Sequence, residues 1–332
     1  MGLLAHLLDY ISGRAALYRK WEEGLWGKKR PGCVPPVLTF IGHSFSATHV
    51  RSIREYCTRA GMVPIFLSKR YFNDAVKIAW AVNLALTSNG LVIPAYETAT
   101  RIVAKSFAPN PKIVAPPVSV VRTFENKRET SAWLRANGFA ENVIRDYAHP
   151  WEVHDYPVYA KPISGSGGRS ISILHKNIGR HKPGVFYQEA VRNNTEWGAH
   201  FAAVHGTVLF THCISLRFKE DVYVRRHKNT VGRLHKVESS DCPADIRRLA
   251  TAIARKTVYH GIGCIGIKFQ RSSLKLIEVN ARLCGMAVSY KSGEIMSEEI
   301  TRLHRNLTVS KHCEHFPSHL PAPPLKTSPL KT

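Results

Sequence analysis

Between residues 37 and 115, short apolar runs alternate with stretches of helical periodicity, and no other feature constrains the fold as tightly. Residues 37–41 (Val-Leu-Thr-Phe-Ile), 63–67, 91–93 and 113–115 read as strands. Residues 48–60, 73–86 and 97–106 between them read as helices. Strands separated by helices cannot close as hairpins, so parallel β-α-β units with helices packed on the sheet are expected. Pro116 and Pro117 end the run. The loop from Gly42 to Ser46 lacks GxGxxG spacing, which argues against dinucleotide binding.

A second organising stretch is residues 156–174, which read as strand, glycine-rich loop, strand. Val158, Tyr159 and Ala160 lead to Lys161, and Ile171, Ile173 and Leu174 resume the apolar pattern. Between them lie Gly165, Gly167 and Gly168 with Ser164, Ser166 and Ser170. Such a loop can aim backbone N–H groups at an anion, and a lysine at the strand end adds charge for the same phosphates. A β-hairpin with a flexible tip is the plain alternative. No Gly-Lys-Ser/Thr follows, so this is not a Walker loop. Two later stretches add to it: Phe-Tyr-Gln-Glu-Ala-Val-Arg-Asn-Asn-Thr-Glu at 186–196, and Leu-Lys-Leu-Ile-Glu-Val-Asn-Ala-Arg at 274–282.

The order of these motifs resembles the ATP-grasp superfamily of carboxylate–amine ligases over about residues 112–300. The resemblance implies an α/β (α+β) fold: a Rossmann-like domain over 35–117, then an ATP-grasp module over 118–308. It implies ATP and Mg²⁺ as cofactors (Mn²⁺ being a chemically similar alternative), with small carboxylate and amine substrates. Lys127, Lys161, Gly165, Ser166, Gly167 and Gly168 would hold the ATP phosphates, though a helix lysine such as Lys127 can equally be a solvated one. Gln188 and Glu189, with the backbone of Ala190 and Val191, would meet the adenine. Glu196 would accept from the ribose hydroxyls. His43, Ser44 and Ser46 either face the substrate or form a plain turn.

Glu278 and Asn280 stand two apart on one strand and so share a face, which suits Mg²⁺ bridging ATP phosphates. Arg282 would clamp the acyl phosphate or the γ-phosphate. A further basic run spans 217–236, including Arg217, Lys219, Arg225, Arg226, Lys228, Arg233 and Lys236. It is either a solvated face or, as in the family, a segment over the active site in which Arg225 or Arg226 contacts substrate or phosphate. One departure is plain. The family has a further acid about a dozen residues upstream of the Glu278 position, and here Cys264-Ile265-Gly266-Ile267-Lys268 carries no carboxylate. One metal suffices, Lys268 replaces a charge, or turnover has been lost.

Composition enters through charge and cysteine. Forty-seven basic against 24 acidic residues give a formal net charge of +23, which predicts attraction to nucleotides, polyanions or acidic lipid. Residues 3–20 space Leu3, Leu4, Leu7, Leu8, Ile11 and Ala15 helically, ahead of Trp21, Trp26 and a basic segment. Residues 1–34 are therefore an amphipathic basic helix, docked on the body or lying on an anionic membrane surface. Asp9, Glu22 and Glu23 disfavour a targeting peptide. Seven cysteines without CxxC spacing favour reduced thiols and a cytoplasmic location. Residues 309–332 read as a disordered tail whose His312, Cys313, His315 and His319 are too loosely spaced for a convincing zinc site. Beside the ligase stand two other readings: an ATP-binding protein that has lost turnover, and a basic nucleic-acid or membrane-associated module.

Overall fold

The computed structural model describes residues 35–43, 47–68, 75–107, 110–165, 170–224, 234–283 and 293–308. The expected N-terminal helix, the tail, Ser44, Ser46, Ser166, Gly167, Gly168, Arg225 and Arg226 lie outside the described residues. Helices and strands are mixed, and the strands form three sheets among the described residues.

In the first sheet, β1 (Val37–His43) is the centre, flanked in parallel by β2 (Val63–Ser68) and β3 (Leu91–Pro94). Helices α1 (Ala47–Arg59), α2 (Ala75–Thr87) and α3 (Glu97–Phe107) alternate with the strands, as the sequence pattern predicts. The strands carry apolar residues on both faces because both faces are covered. Ile41, Leu67 and Val92 pack with Ile78, Val82 and Val103 of α2 and α3. Leu38, Phe40 and Ile93 join Ile53 and Cys57 of α1 and continue into the core of the largest sheet. The expected fourth strand at 113–115 is corrected to an isolated parallel bridge, Val92 to Ile113. Only three residues precede the two prolines, too few to extend a ladder.

Next come α4 (Val118–Glu125) and α5 (Lys127–Ala136). Asn126 separates them and caps α5, its side chain accepting from the N–H groups of Arg128 and Glu129. A small antiparallel sheet of order β4-β7-β5-β6 follows, built from β4 (Asp146–Tyr147), β5 (Val158–Pro162), β6 (Ser172–Leu174) and β7 (Val185–Glu189). Strands β5 and β6 pair antiparallel, Val158 with Leu174 through Ala160 with Ser172.

The largest sheet has order β10-β9-β8-β11-β12 and is antiparallel throughout. Its strands are β8 (Thr195–Val204), β9 (Thr207–Phe218), β10 (Leu234–Ser240), β11 (Gly261–Gln270) and β12 (Ser273–Asn280). One face packs on α6 (Ala244–Lys256) and on α4 and α5 through Phe201, Ile265, Ile267, Leu249 and Ile253. The other meets the first sheet and α7 (Gly293–Thr308) through Ala202, Ile214, Ile300 and Leu303.

A β-bulge interrupts the β11–β12 ladder. Gly266 pairs with Glu278 but Ile267 pairs with Leu276, so Ile277 is the extra residue. Leu274 and Leu276 face the same core as Val279 and Ala281. The odd step between those pairs turns Glu278 and Asn280 to the opposite face.

The cysteine expectation is corrected in part. Cys57 and Cys264 are buried and Cys57 is a free thiol, but Cys213 and Cys242 form a disulfide. Ser240 pairs with Cys213 in the β10–β9 ladder, so the chain two residues on returns beside Cys213, with a Cα separation of 4.8 Å. A pairing 29 residues apart leaves no local spacing signature. No helix among the described residues is long and apolar enough to cross a membrane.

Candidate functional site

The small sheet and the largest sheet face each other across a cleft lined by Tyr159, Lys161, Gln188, Glu189, Val191, Glu196, Tyr223, Lys268, Ile277 and Glu278. Much of the set named from the sequence therefore converges.

Lys161 sits near the end of β5, 6 % exposed, with Nζ donating to Gln188 Oε1 at 2.6 Å. Burial pushes its ammonium down to about 8, partly opposed by the carboxylate of Glu278. Lys127 opens α5. Its N–H donates to Ile163 O at 3.0 Å and its Nζ to Gly165 O at 2.7 Å. The helix start is thus tied to the chain leaving β5, and the two lysines flank the mouth of the glycine loop. Burial lowers the Lys127 pKa as well, opposed by Glu278 and Glu97.

At the far end, β7 runs into a hinge. Glu189 N–H donates to Arg145 O and Ala190 N–H to Pro157 O, while Glu189 Oε1 accepts from Gln270 Nε2 at 3.3 Å. Val191 O accepts from Lys268 Nζ at 3.3 Å. Glu196 Oε2 accepts from the Tyr223 hydroxyl at 3.3 Å.

Lys268 does not stand in for the missing acid. It is buried, donates to Val191 O and Asp221 O, and lies 4.1 Å from the Tyr223 ring centroid, at the hinge end of the cleft. Burial brings its pKa down to about 8. Tyr223 is fixed from every side. Its ring stacks on Phe218 at 3.6 Å, and its backbone N–H and C=O both engage the Tyr159 hydroxyl.

At the opposite end, Asn280 Nδ2 donates to Glu278 Oε1 at 2.9 Å. This carboxylate and amide on one face are the kind of oxygen donors that suit Mg²⁺, although no group of three acidic, histidine or cysteine side chains gathers among the described residues. The position opposite Glu278 is Gly266, and a Cβ built there would lie 3.0 Å from Glu278 Cγ. Arg282 follows, and its Nε lies 2.6 Å from Glu97 Oε1 of α3, an ion pair between the first sheet's helix layer and the end of β12.

Sequence reasoning missed three participants: Tyr159, Tyr223 and Glu97. Tyr159 shares a face with Lys161 by strand period and so had a readable signal. Glu97 had none beyond being an acid at a helix start.

No protein-family model matches the chain, and no curated protein matches it. Solved structures do. The L-amino acid ligase from Bacillus licheniformis superposes with a TM-score of 0.57 at 15% identity, covering 83% of this chain and 75% of that one. Phosphoribosylamine–glycine ligase from Thermotoga maritima gives 0.55 at 15% identity over 81% and 75%. The biotin carboxylase domain of the Hydrogenobacter thermophilus 2-oxoglutarate carboxylase, in complex with MgADP, ADP and bicarbonate, gives 0.53 at 14% over 85% and 71%. The chain has the ATP-grasp fold. Within that ATP-grasp fold, the cleft lies between the small sheet and the bulged hairpin of the largest one.

Proposed function

We propose that the protein is an ADP-forming ligase that activates a carboxylate as an acyl phosphate and joins it to an amine. The observation that carries this reading is the convergence of Lys161, Glu196 and Glu278 around one cleft, with Lys127 in the adjoining cavity that shares Gln188 and Glu278. Two lysines border a loop of phosphate-binding type, one carboxylate stands near the hinge, and another accepts from the side-chain amide nitrogen of Asn280. The named solved structures of the same fold include two ligases, which adds support. The proposed division is a Rossmann-like domain over 35–117 and an ATP-grasp module over 118–308.

In this reading Lys127, Lys161 and the loop from Gly165 through Gly168 hold the phosphates, and Arg282 steadies the transferring group. Gln188 fixes the Lys161 ammonium. The Glu189–Val191 hinge meets the base edge and Glu196 the ribose. Arg225 and Arg226 contact substrate or phosphate from the basic segment. Glu278 and Asn280 would hold Mg²⁺, or Mn²⁺, which when bound neutralises charge developing on the phosphates. Catalysis is positioning and charge neutralisation, with no side-chain nucleophile.

A specific observation favours a second reading, an ATP-binding protein without turnover: Gly266 stands opposite Glu278 where a carboxylate would complete the metal site. ADP release measured across amino acids and small carboxylates separates the two. Release with at least one carboxylate supports the ligase. ATP binding without release for any of them supports the inactive binder.

A further inference from the structure

We propose that Glu97 anchors the incoming cationic amine and accepts its first proton, an inference that rests on the ligase reading above. The phosphate end of the cleft is rich in cations. Lys127 and Lys161 flank the loop and Arg282 ends the β12 segment. An ammonium approaching such a cluster is repelled unless an acid faces it. Glu278 is engaged with Asn280, on the face proposed for the metal.

Glu97 is a different case. It arrives from α3 of the first sheet, its Oε1 lies 2.6 Å from Arg282 Nε, and its charge is also felt by Lys127. Its side chain is 22% exposed, against 12% for Arg282, so a solute can reach it. It stands in the first turn of an eleven-residue helix. In the resting protein Arg282 is its partner. A bound acyl phosphate offers that guanidinium a second anion, and Glu97 then has room for a second cation. The substrate amine is the cation the reaction must bring there.

The chemistry balances. The ammonium gives one N–H proton to the Glu97 carboxylate, and the freed nitrogen lone pair forms the bond to the acyl carbon. The bond from that carbon to the phosphate oxygen breaks, and phosphate leaves with the electron pair. The second nitrogen proton goes to the departing phosphate, and Glu97 returns its proton to water.

The test compares a cationic nucleophile, ethylamine, with hydroxylamine, which is mostly uncharged at neutral pH. The carboxylate is whichever of the twenty L-amino acids gives the fastest ADP release with the intact wild-type protein. In Glu97→Gln the KM for ethylamine is expected to rise about tenfold or more, as for loss of a charged partner. The KM for hydroxylamine should rise no more than about threefold, because no charge is lost toward a neutral nucleophile. Glu97→Asp should recover part of the ethylamine loss. Equal losses with both nucleophiles in a variant of unchanged melting temperature would overturn the proposal and leave Glu97 as a residue that only positions Arg282. Absence of both ADP release and hydroxamate in the wild type would overturn the ligase reading, and the amine site with it; the wild-type control tells these failures apart.

Discussion

Lys161→Met should leave the protein at least as stable at neutral pH while removing its response to nucleotide. The Lys161 ammonium falls from 10.5 to about 8, mainly through burial. At about 1.4 kcal/mol per unit, a fall of about 2.5 units makes the buried charge a burden of about 3 kcal/mol at pH 7. The side chain is nearly inaccessible, so solvent screening removes little of this. Against it stands the hydrogen bond to Gln188 Oε1 at 2.6 Å, whose loss costs about 1.5–3 kcal/mol. The balance is about 0–2 kcal/mol in favour of methionine, a rise in melting temperature of about 0–4 °C for a chain of this size. The sign with pH follows from the direction of the shift. The folded pKa lies below the unfolded one, so between about pH 8 and 10.5 the unfolded chain binds more protons. Wild-type stability should therefore gain on Lys161→Met as pH rises through that window. Thermal melts of both proteins at pH 7 and pH 10, each with and without MgATP, measure all three effects. A variant melting more than about 4 °C below wild type at pH 7 would show that the ammonium stabilises the fold, and the reasoning would fail. An undiminished MgATP-induced shift in the variant would remove Lys161 from the nucleotide site.

Other outcomes follow from the same geometry. Glu278→Gln should remove nearly all Mg²⁺-dependent ADP release, read by titrating Mg²⁺ at fixed ATP, because Gly266 offers no second acid on the paired strand. Gly266→Asp should tighten Mg²⁺–nucleotide binding in calorimetry, while without metal it should lower stability by about 1 kcal/mol through carboxylate repulsion and the 3.0 Å approach to Glu278 Cγ. His200 is fully buried with neither ring nitrogen hydrogen-bonded, and burial takes its pKa down to about 3. Its contribution is kept above pH 6.5 and lost as pH falls toward 3, so His200→Leu should flatten the acid side of the stability curve in denaturant titrations at pH 7 and pH 5. Gly263→Ala would place its Cβ 2.5 Å from Phe201 Cζ, and a loss of about 1–3 kcal/mol is expected in urea unfolding.

Periodicity made much of the molecule readable. The β1-β2-β3 run with its helices and the Gln188–Glu196 stretch both follow from rules acting within a few residues. The grouping of Glu278 and Asn280 on one face also held, because it needs only a period of two. Contacts between elements far apart in sequence were not readable. Lys268 looked like a substitute charge for the metal end, yet its stem carries the ammonium to carbonyls of the hinge. Arg282 looked committed to phosphate, and its resting partner comes from α3. The Cys213–Cys242 bond depends on the ladder register of β9 and β10, which no local pattern encodes. The three-residue run at 113–115 shows the converse: local propensity without enough length to pair.

The extra residue Ile277 gives β12 something like a frameshift. Upstream of it the strand spells hydrophobic packing in one phase; downstream the same alternation spells acid and amide toward the cleft while still filling the core in the other phase. One segment can thus serve as ballast and as instrument, and the two halves can drift in composition independently so long as the insertion between them stays. A deletion of this one residue would transpose the message: Glu278 and Asn280 would be driven into the layer held by Ile265 and Ile267, and Val279 and Ala281 would be left facing the cleft.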